Sequence, residues 1–362
     1  TDQLKQLVDQ VLQVEGSAQT QQKLQDLSQS LQQLANQPQE PNQQSAMVTF
    51  QAALRKSLEQ FNAAFSPQDL VRLMELDEQT FSSSISDDIA ELIVQNPMSP
   101  RVVFDHVNSL HGHREETFES LRQLSQNLEQ LGFGYDEIEE GKAELGFQIP
   151  RKMFDDNLEG LIKELNEIKR MLRIVSEAAV GDYSPPQVGS ISTSDPLIFF
   201  GLGIEVAKYF AGAVTWGIGV WYSVEQIRKV RAETQQIQAF TKEEVEEIFD
   251  SKIQNQIDQA VEAKVQEILK EGNPPEKRLG DLQAGLKWFL ESLLAKMERG
   301  MTVELRLSPP PEPEVDGDGK EQAEGQASAD YEELVSAQRE MVFPKASEDP
   351  VLSIPQLDQD YE

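Results

Sequence analysis

Pro196–Tyr222 reads PLIFFGLGIEVAKYFAGAVTWGIGVWY, and it is the only long apolar run in a chain that is otherwise polar and helix-patterned. Two charges interrupt it, Glu205 and Lys208. Such a segment needs lipid, a partner's apolar face or the protein's own core, because burial is what offsets the entropy of ordering it. Read as one helix, it contains five glycines, each weakening a helix in water by about 1 kcal/mol relative to alanine. Packing or lipid must make up that deficit. Gly203, Ala207 and Ala211 form a row of small residues, and Ala213 with Gly217 forms another; such rows let two helices approach closely. Trp216, Trp221 and Tyr222 have the amphipathic rings that suit an interface, and Phe199 and Phe200 would seat the opposite end.

A simple membrane span does not follow. Tyr209–Val224 is free of charge for 16 residues, about 24 Å of helix against roughly 30 Å of hydrocarbon. Extending the span to Leu197 includes Glu205 and Lys208, each costing up to about 3.5 kcal/mol near the centre of a bilayer. Arg228, Lys229 and Arg231 follow the stretch, while no basic residue lies between Arg173 and it. The positive-inside rule would then send the whole N-terminal part across the membrane. The opening residues TDQLKQLVDQVLQVEGS have no basic n-region leading into an apolar core, so cytosolic synthesis without export is the expectation. A helix lying on or re-entering a membrane, with both flanks cytosolic, removes the conflict.

Three readings therefore stand. The first is a non-enzymatic, membrane-associated helical interaction or effector protein, cytoplasmic and at the inner face of a membrane, with lipid or its own subunits as partners. The second is a soluble coiled-coil scaffold or homo-oligomer in which 196–222 is a buried core or a subunit interface. A pore-forming effector is the third, its Glu205–Lys208 pair lining a lumen.

Outward from the stretch, the expected fold class is all-α: an elongated set of helical bundle and coiled-coil segments. Residues 1–45 give Gln-rich amphipathic helices, with Leu24, Leu27, Leu31 and Leu34 at the 3-4-3 spacing of a helix–helix seam. Residues 46–180 read as a bundle. Within it, Ser66-Pro67 has the look of an N-cap and first-turn proline, and a Gly-rich turn holding a short acidic helix links two long helices that would fold back as a hairpin. The second of these carries the best heptad, Leu158, Leu161, Leu165, Ile168, Leu172 and Val175. Residues 181–195 read as a hinge, and 196–240 as the apolar helix with a polar extension. The stretch 241–307 reads as a helical arm opened by a capping box at Thr241 and closed by a strand-like MTVELRL.

Residues 308–362 carry 15 acidic against 3 basic side chains and are expected to be a disordered acidic tail. Its islands YEELVSAQREMVF and PVLSIPQL could dock a protein partner. A formal net charge of −31 opposes a phosphate backbone, so nucleic acid is not an expected partner.

No catalytic set is legible. The chain has no cysteine, which rules out thiolate zinc and cysteine nucleophiles. The three histidines, His106, His111 and His113, lie near Asp105, Glu115 and Glu116 but lack the i, i+4 pairing of a zinc hydrolase. Gly141-Lys142 is not a P-loop, Gly201-x-Gly203 lacks the third glycine of a dinucleotide turn, and Asp316-Gly-Asp318 runs into Lys320 where a calcium loop needs oxygen. No metal, cofactor or enzymatic activity is expected.

Overall fold

The structure, a computed structural model, describes residues 2–37, 41–131, 138, 142–192, 196–235, 242–308, 321–347, 352 and 355. The chain divides into two compact units, Thr1–Glu137 and Ile138–Glu362.

The first unit is helical: α1 (Asp2–Ala18), α2 (Thr20–Asn36), α3 (Pro41–Ala63), α4 (Pro67–Leu76), α5 (Glu78–Phe81), α6 (Ile85–Gln95) and α7 (Pro100–Gln130). The leucine seam of α2 is buried against α3 and α7 of its own unit, with Leu54, Leu58, Val103, Val107 and Leu110 facing it. Ser66 caps α4 by accepting from the Asp69 backbone N–H at 3.1 Å, as the Ser-Pro pair predicts. A second apolar cluster joins Val8 and Val11 of α1 to Phe61, Phe65, Phe81 and Phe118. Along α7, Leu110 belongs to one cluster and Phe118 to the other. Arg114 lies one turn from each, and it is buried.

The second unit is not all helix. It contains four strands, β1 (Lys142–Gln148), β2 (Gln187–Ser192), β3 (Leu197–Gly203) and β4 (Thr302–Leu307), in one antiparallel sheet ordered β2-β3-β1-β4. With them go α8 (Leu158–Val180), α9 (Ile204–Gln235), α10 (Lys242–Glu271), α11 (Leu279–Glu298) and α12 (Glu321–Glu340). Three sequence readings change here. The link 131–150, expected to be a Gly-rich turn holding a short acidic helix, contains β1, the strand between β3 and β4. The hinge 181–195 contains β2. The apolar stretch is a strand followed by a helix, joined at Gly203 and Ile204.

The reason is burial on both faces. Leu197, Ile198 and Phe199 are all buried, so β3 shows no polar alternation, and a short continuous apolar run fits strand or helix equally well. Partners decided between them: β3 pairs with β1 from Gln148↔Leu197 to Lys142↔Gly203. β1 also gives the 301–307 segment its mate, from Gln148↔Thr302 to Ala143↔Leu307.

The two long helices of the expected hairpin each find their partners within their own unit. α7 packs on α1, α2, α5 and α6, and α8 packs on α9, α10 and α11. Thr241, the expected capping residue, lies outside the described residues.

Candidate functional site

The site is built on α9. Its apolar side supplies Val206, Ala207, Phe210, Ala211, Ala213, Val214 and Ile218 to the core of the second unit. Phe210 joins the layers. Its ring meets Phe147 of β1 edge-on at 5.4 Å and Phe289 of α11 at 5.2 Å. The small-residue rows serve packing inside the chain. A Cβ on Gly217 would come within 3.3 Å of Met297 Sδ and 3.5 Å of Leu294, both on α11. Gly203, by contrast, ends β3, is exposed and has nothing within 4 Å of a would-be Cβ. The row Gly203–Ala207–Ala211 is therefore not one helical stripe.

The aromatic candidates divide as well. Phe199 is buried on β3 under the Arg306 guanidinium, 3.7 Å above its ring. Phe200 is partly buried and stacks edge-on with Phe147 at 5.9 Å. Trp221 is buried and Trp216 is partly buried against the same core, while Tyr222 is half exposed. The basic flank continues α9; Lys229 is exposed. Arg228 and Arg231 lie on the same helix, and nothing more is described of their side chains. No helix among the described residues is long and apolar enough to cross a membrane.

Glu205 and Lys208 do not pair with each other in the manner expected. Glu205 is exposed. Lys208 instead reaches α12, with its Nζ 3.0 Å from Asp330 and 2.9 Å from Glu333. Hydrogen bonding to Glu333 raises its pKa, burial opposes that, and Asp330 adds to the rise.

The described part of the acidic tail is thus ordered, which corrects the expectation of disorder for 321–347. Leu334 and Met341 are buried in the core cluster, with Ala337 and Phe343 packed beside them. Gln338 donates to the Leu305 carbonyl at 2.6 Å. The island YEELVSAQREMVF docks on its own chain because Leu334 and Ala337 share one face of α12 and Met341 follows directly after the helix. Residues 309–320, 348–351, 353, 354 and 356–362 lie outside the described residues.

Of the other island, Leu352 and Pro355 lie among the described residues. Leu352 donates its backbone N–H to Glu298 Oε2 at 2.8 Å, and its carbonyl accepts from the Arg299 guanidinium at 2.6 Å. Trp288 Nε1 donates to the Pro355 carbonyl at 3.0 Å. Leu352 and Glu298 line a small hollow together with Val220, Trp221 and Val224 of α9, Ile257 of α10 and Leu294 of α11. Glu298 and Trp288 are only 3% and 5% exposed, and Arg170 lies 5.7 Å above the Trp288 ring. Sequence reasoning marked the island and the apolar face of α11, but missed Trp288, Glu298 and Arg299. No local signal joins residues more than fifty positions apart.

The heptad of α8 is used unevenly. Ile168, Leu172 and Val175 are buried, Leu161 and Leu165 are partly buried, and Leu158 is 71% exposed. The seam faces α9, α10 and α11, a mixed set of neighbours rather than one partner helix. On the same helix Glu164 and Glu167 meet Lys296 of α11. Lys296 is fully buried, bonded to Glu164 and 2.7 Å from Glu167.

The histidines do not converge. His106 is exposed and His111 half-buried, while His113 Nε2 is 2.9 Å from Asp77. Among the described residues no three His, Asp or Glu side chains gather as a metal would require. What His113 joins is a polar knot between the apolar clusters of the first unit. Thr80 and Thr117 donate to Asp77 at 2.8 and 2.7 Å. Arg114 donates to Thr20 at 2.7 Å, to Gln21 at 3.2 Å and to the Thr80 carbonyl. Burial draws the Arg114 guanidinium down to about 10, with Glu15 and Asp77 opposing. Burial pushes the Asp77 carboxyl up, but the hydrogen bonds from Thr117, Thr80 and His113 outweigh it and hold it at about 2. Asp77 caps α5, and the groups around it come from neighbouring helices of the same unit, so the knot is a packing device.

Comparison with protein-family models, curated proteins and solved structures finds no match. The functional reading therefore rests on geometry.

Proposed function

We propose that the chain is a non-enzymatic interaction scaffold, whose second unit is organised around α9 as a core helix and whose work is to hold polypeptide segments. One observation carries this: the island YEELVSAQREMVF is seated on that unit by Leu334 and Met341 in the core, and the main chain of Leu352 and Pro355 is hydrogen-bonded to it. Side chains that satisfy another segment's main chain are docking chemistry. The net charge of −31 directs the choice of partner toward protein and away from nucleic acid.

The membrane reading began from an apolar helix without internal partners. With Phe210, Ala211 and Val214 buried, α9 gains little by moving to lipid. Flotation with vesicles containing anionic lipid tests the scaffold reading. The protein is expected to remain at the bottom of the gradient with unchanged tryptophan emission; co-migration with the vesicles would refute the reading and favour membrane attachment.

A further inference from the structure

We propose that the solvent face of α8, from Leu158 to Arg173, is a docking surface for an acidic amphipathic helix of a partner protein. The inference rests on the scaffold reading above and adds to it a surface for a second polypeptide.

The face is apolar at its N-terminal end. Leu158 is 71% exposed and Ile162, one turn on, is 49% exposed. Leu161 and Leu165 are packed against the core, and Glu164 and Glu167 are held by the buried Lys296. The inner side of the helix is thus committed to the chain, while Leu158 and Ile162 stand in water. Two large apolar side chains four residues apart form the kind of contact by which one helix packs on another.

Along the rest of its length the face is basic. Helical spacing puts Lys169 and Arg173 in line with Ile162, with Lys163 and Arg170 beside them. Lys163 and Lys169 are exposed, and among the described residues neither is in an ion pair. Arg170 lies over the Trp288 ring rather than on a carboxylate. Arg173 and Arg278 share the single carboxylate of Glu177, at 3.0 and 2.5 Å, which leaves one positive charge over. Against these cations stands Glu159, exposed on the same face.

Charge complementarity selects the occupant. In a chain of net charge −31, a helix face with an excess of cations runs against the sign of the whole. Exposed charges act over about 10 Å at ordinary ionic strength, and the face runs about 22 Å along the helix. A single acidic helix laid on it is governed by the strip. A membrane or a nucleic-acid duplex would spread over the surrounding surface and meet the negative charge of the rest of the chain. Leu158 and Ile162 add a demand that a bare polyanion does not meet, namely apolar side chains on the occupant at matching helical spacing.

The test uses the full chain. A fluorescein-labelled peptide of three repeats of Glu-Leu-Gln-Glu-Leu-Leu-Glu is titrated at low salt and followed by anisotropy. Wild type is expected to bind it saturably. Lys163→Glu combined with Lys169→Glu should weaken binding about tenfold, and Leu158→Ser combined with Ile162→Ser by a similar factor. Lys229→Glu combined with Lys252→Glu makes the same change in net charge on exposed lysines of α9 and α10 and should stay within about twofold of wild type. Circular dichroism verifies folding, and glutamine replaces glutamate at positions 163 and 169 if the first pair unfolds. Absence of saturable binding overturns the proposal, as does an equal loss in the two lysine pairs. Equal binding of an oligonucleotide of the same length overturns it in favour of a general polyanion site. A wild-type dimer that Leu158→Ser with Ile162→Ser converts to monomer assigns the face to a second copy instead. A failed titration with the protein still at the bottom of the flotation gradient removes this surface and leaves the scaffold reading in place, whereas co-migration with vesicles removes that reading itself.

Discussion

Ala211→Glu separates a core helix from a lipid-facing one. Ala211 is fully buried on α9 within the cluster that holds Phe147, Phe210 and Phe289. The substitution forces a longer side chain into a filled interior, costing about 1–3 kcal/mol. It also places a carboxyl where no cation is within the apolar cluster, adding several kcal/mol whether the group ionises or stays protonated. The sum, about 4–7 kcal/mol, is comparable to the whole stability of a typical domain, roughly 5–15 kcal/mol. The second unit should therefore be largely unfolded or close to it at 25 °C. The readout is unusually clean, because all three tryptophans, Trp216, Trp221 and Trp288, lie in that unit. Tryptophan fluorescence thus follows the second unit, while circular dichroism follows both. In urea, the variant should lose the fluorescence transition or shift it by several molar, with the helical signal of the first unit persisting. An unchanged fluorescence midpoint would refute the packing argument, since a residue facing lipid or solvent would tolerate the carboxylate in water.

Other outcomes follow from particular contacts. Gly217→Leu should cost about 1–3 kcal/mol by overpacking against Met297 and Leu294, whereas Gly203→Leu, with open space around it, should stay within about 0.5 kcal/mol; equal effects in chemical denaturation would contradict the two placements. Lys296→Met leaves Glu164 and Glu167 without their buried cation and should destabilise the second unit by about 3–5 kcal/mol, measured by the same fluorescence transition. The Asp77 carboxyl titrates lower in the folded chain, at about 2 against an ordinary 3.8. Its contribution is therefore complete above about pH 4 and disappears as pH falls toward 2; discounted for partial exposure it amounts to about 1–2 kcal/mol. Asp77→Asn should remove that acid-dependent part of the first unit's stability, and a variant with the wild-type pH profile would count against it.

The helices were legible wherever apolar residues recur at helical spacing with a stop signal nearby. Leu24–Leu34 on α2, Val103–Leu128 on α7 and Val261–Ile268 on α10 all face cores at the positions their spacing indicates. Ser66-Pro67 gave a helix start to the residue, because a cap depends only on its immediate neighbours. The MTVELRL alternation likewise identified β4. The sequence could not supply its partner, since β1 is more than 150 residues away and reads KAELGFQ; its alternation of Ala143, Leu145 and Phe147 marks a strand, without β-branched residues, but does not say which strand it pairs with.

What the sequence determined by itself was periodicity, charge and the need of residues 196–222 for an apolar environment. Tertiary structure decided what that environment is. It turned Leu197–Gly203 into a strand because β1 offered unpaired backbone on one side and β2 on the other, and it closed the chain's own helices over the rest. It also gave Lys208 to α12 and the Leu352 main chain to Glu298 and Arg299. Local preferences are set by near neighbours along the chain, but a buried polar group takes whichever distant partner the packing brings within reach.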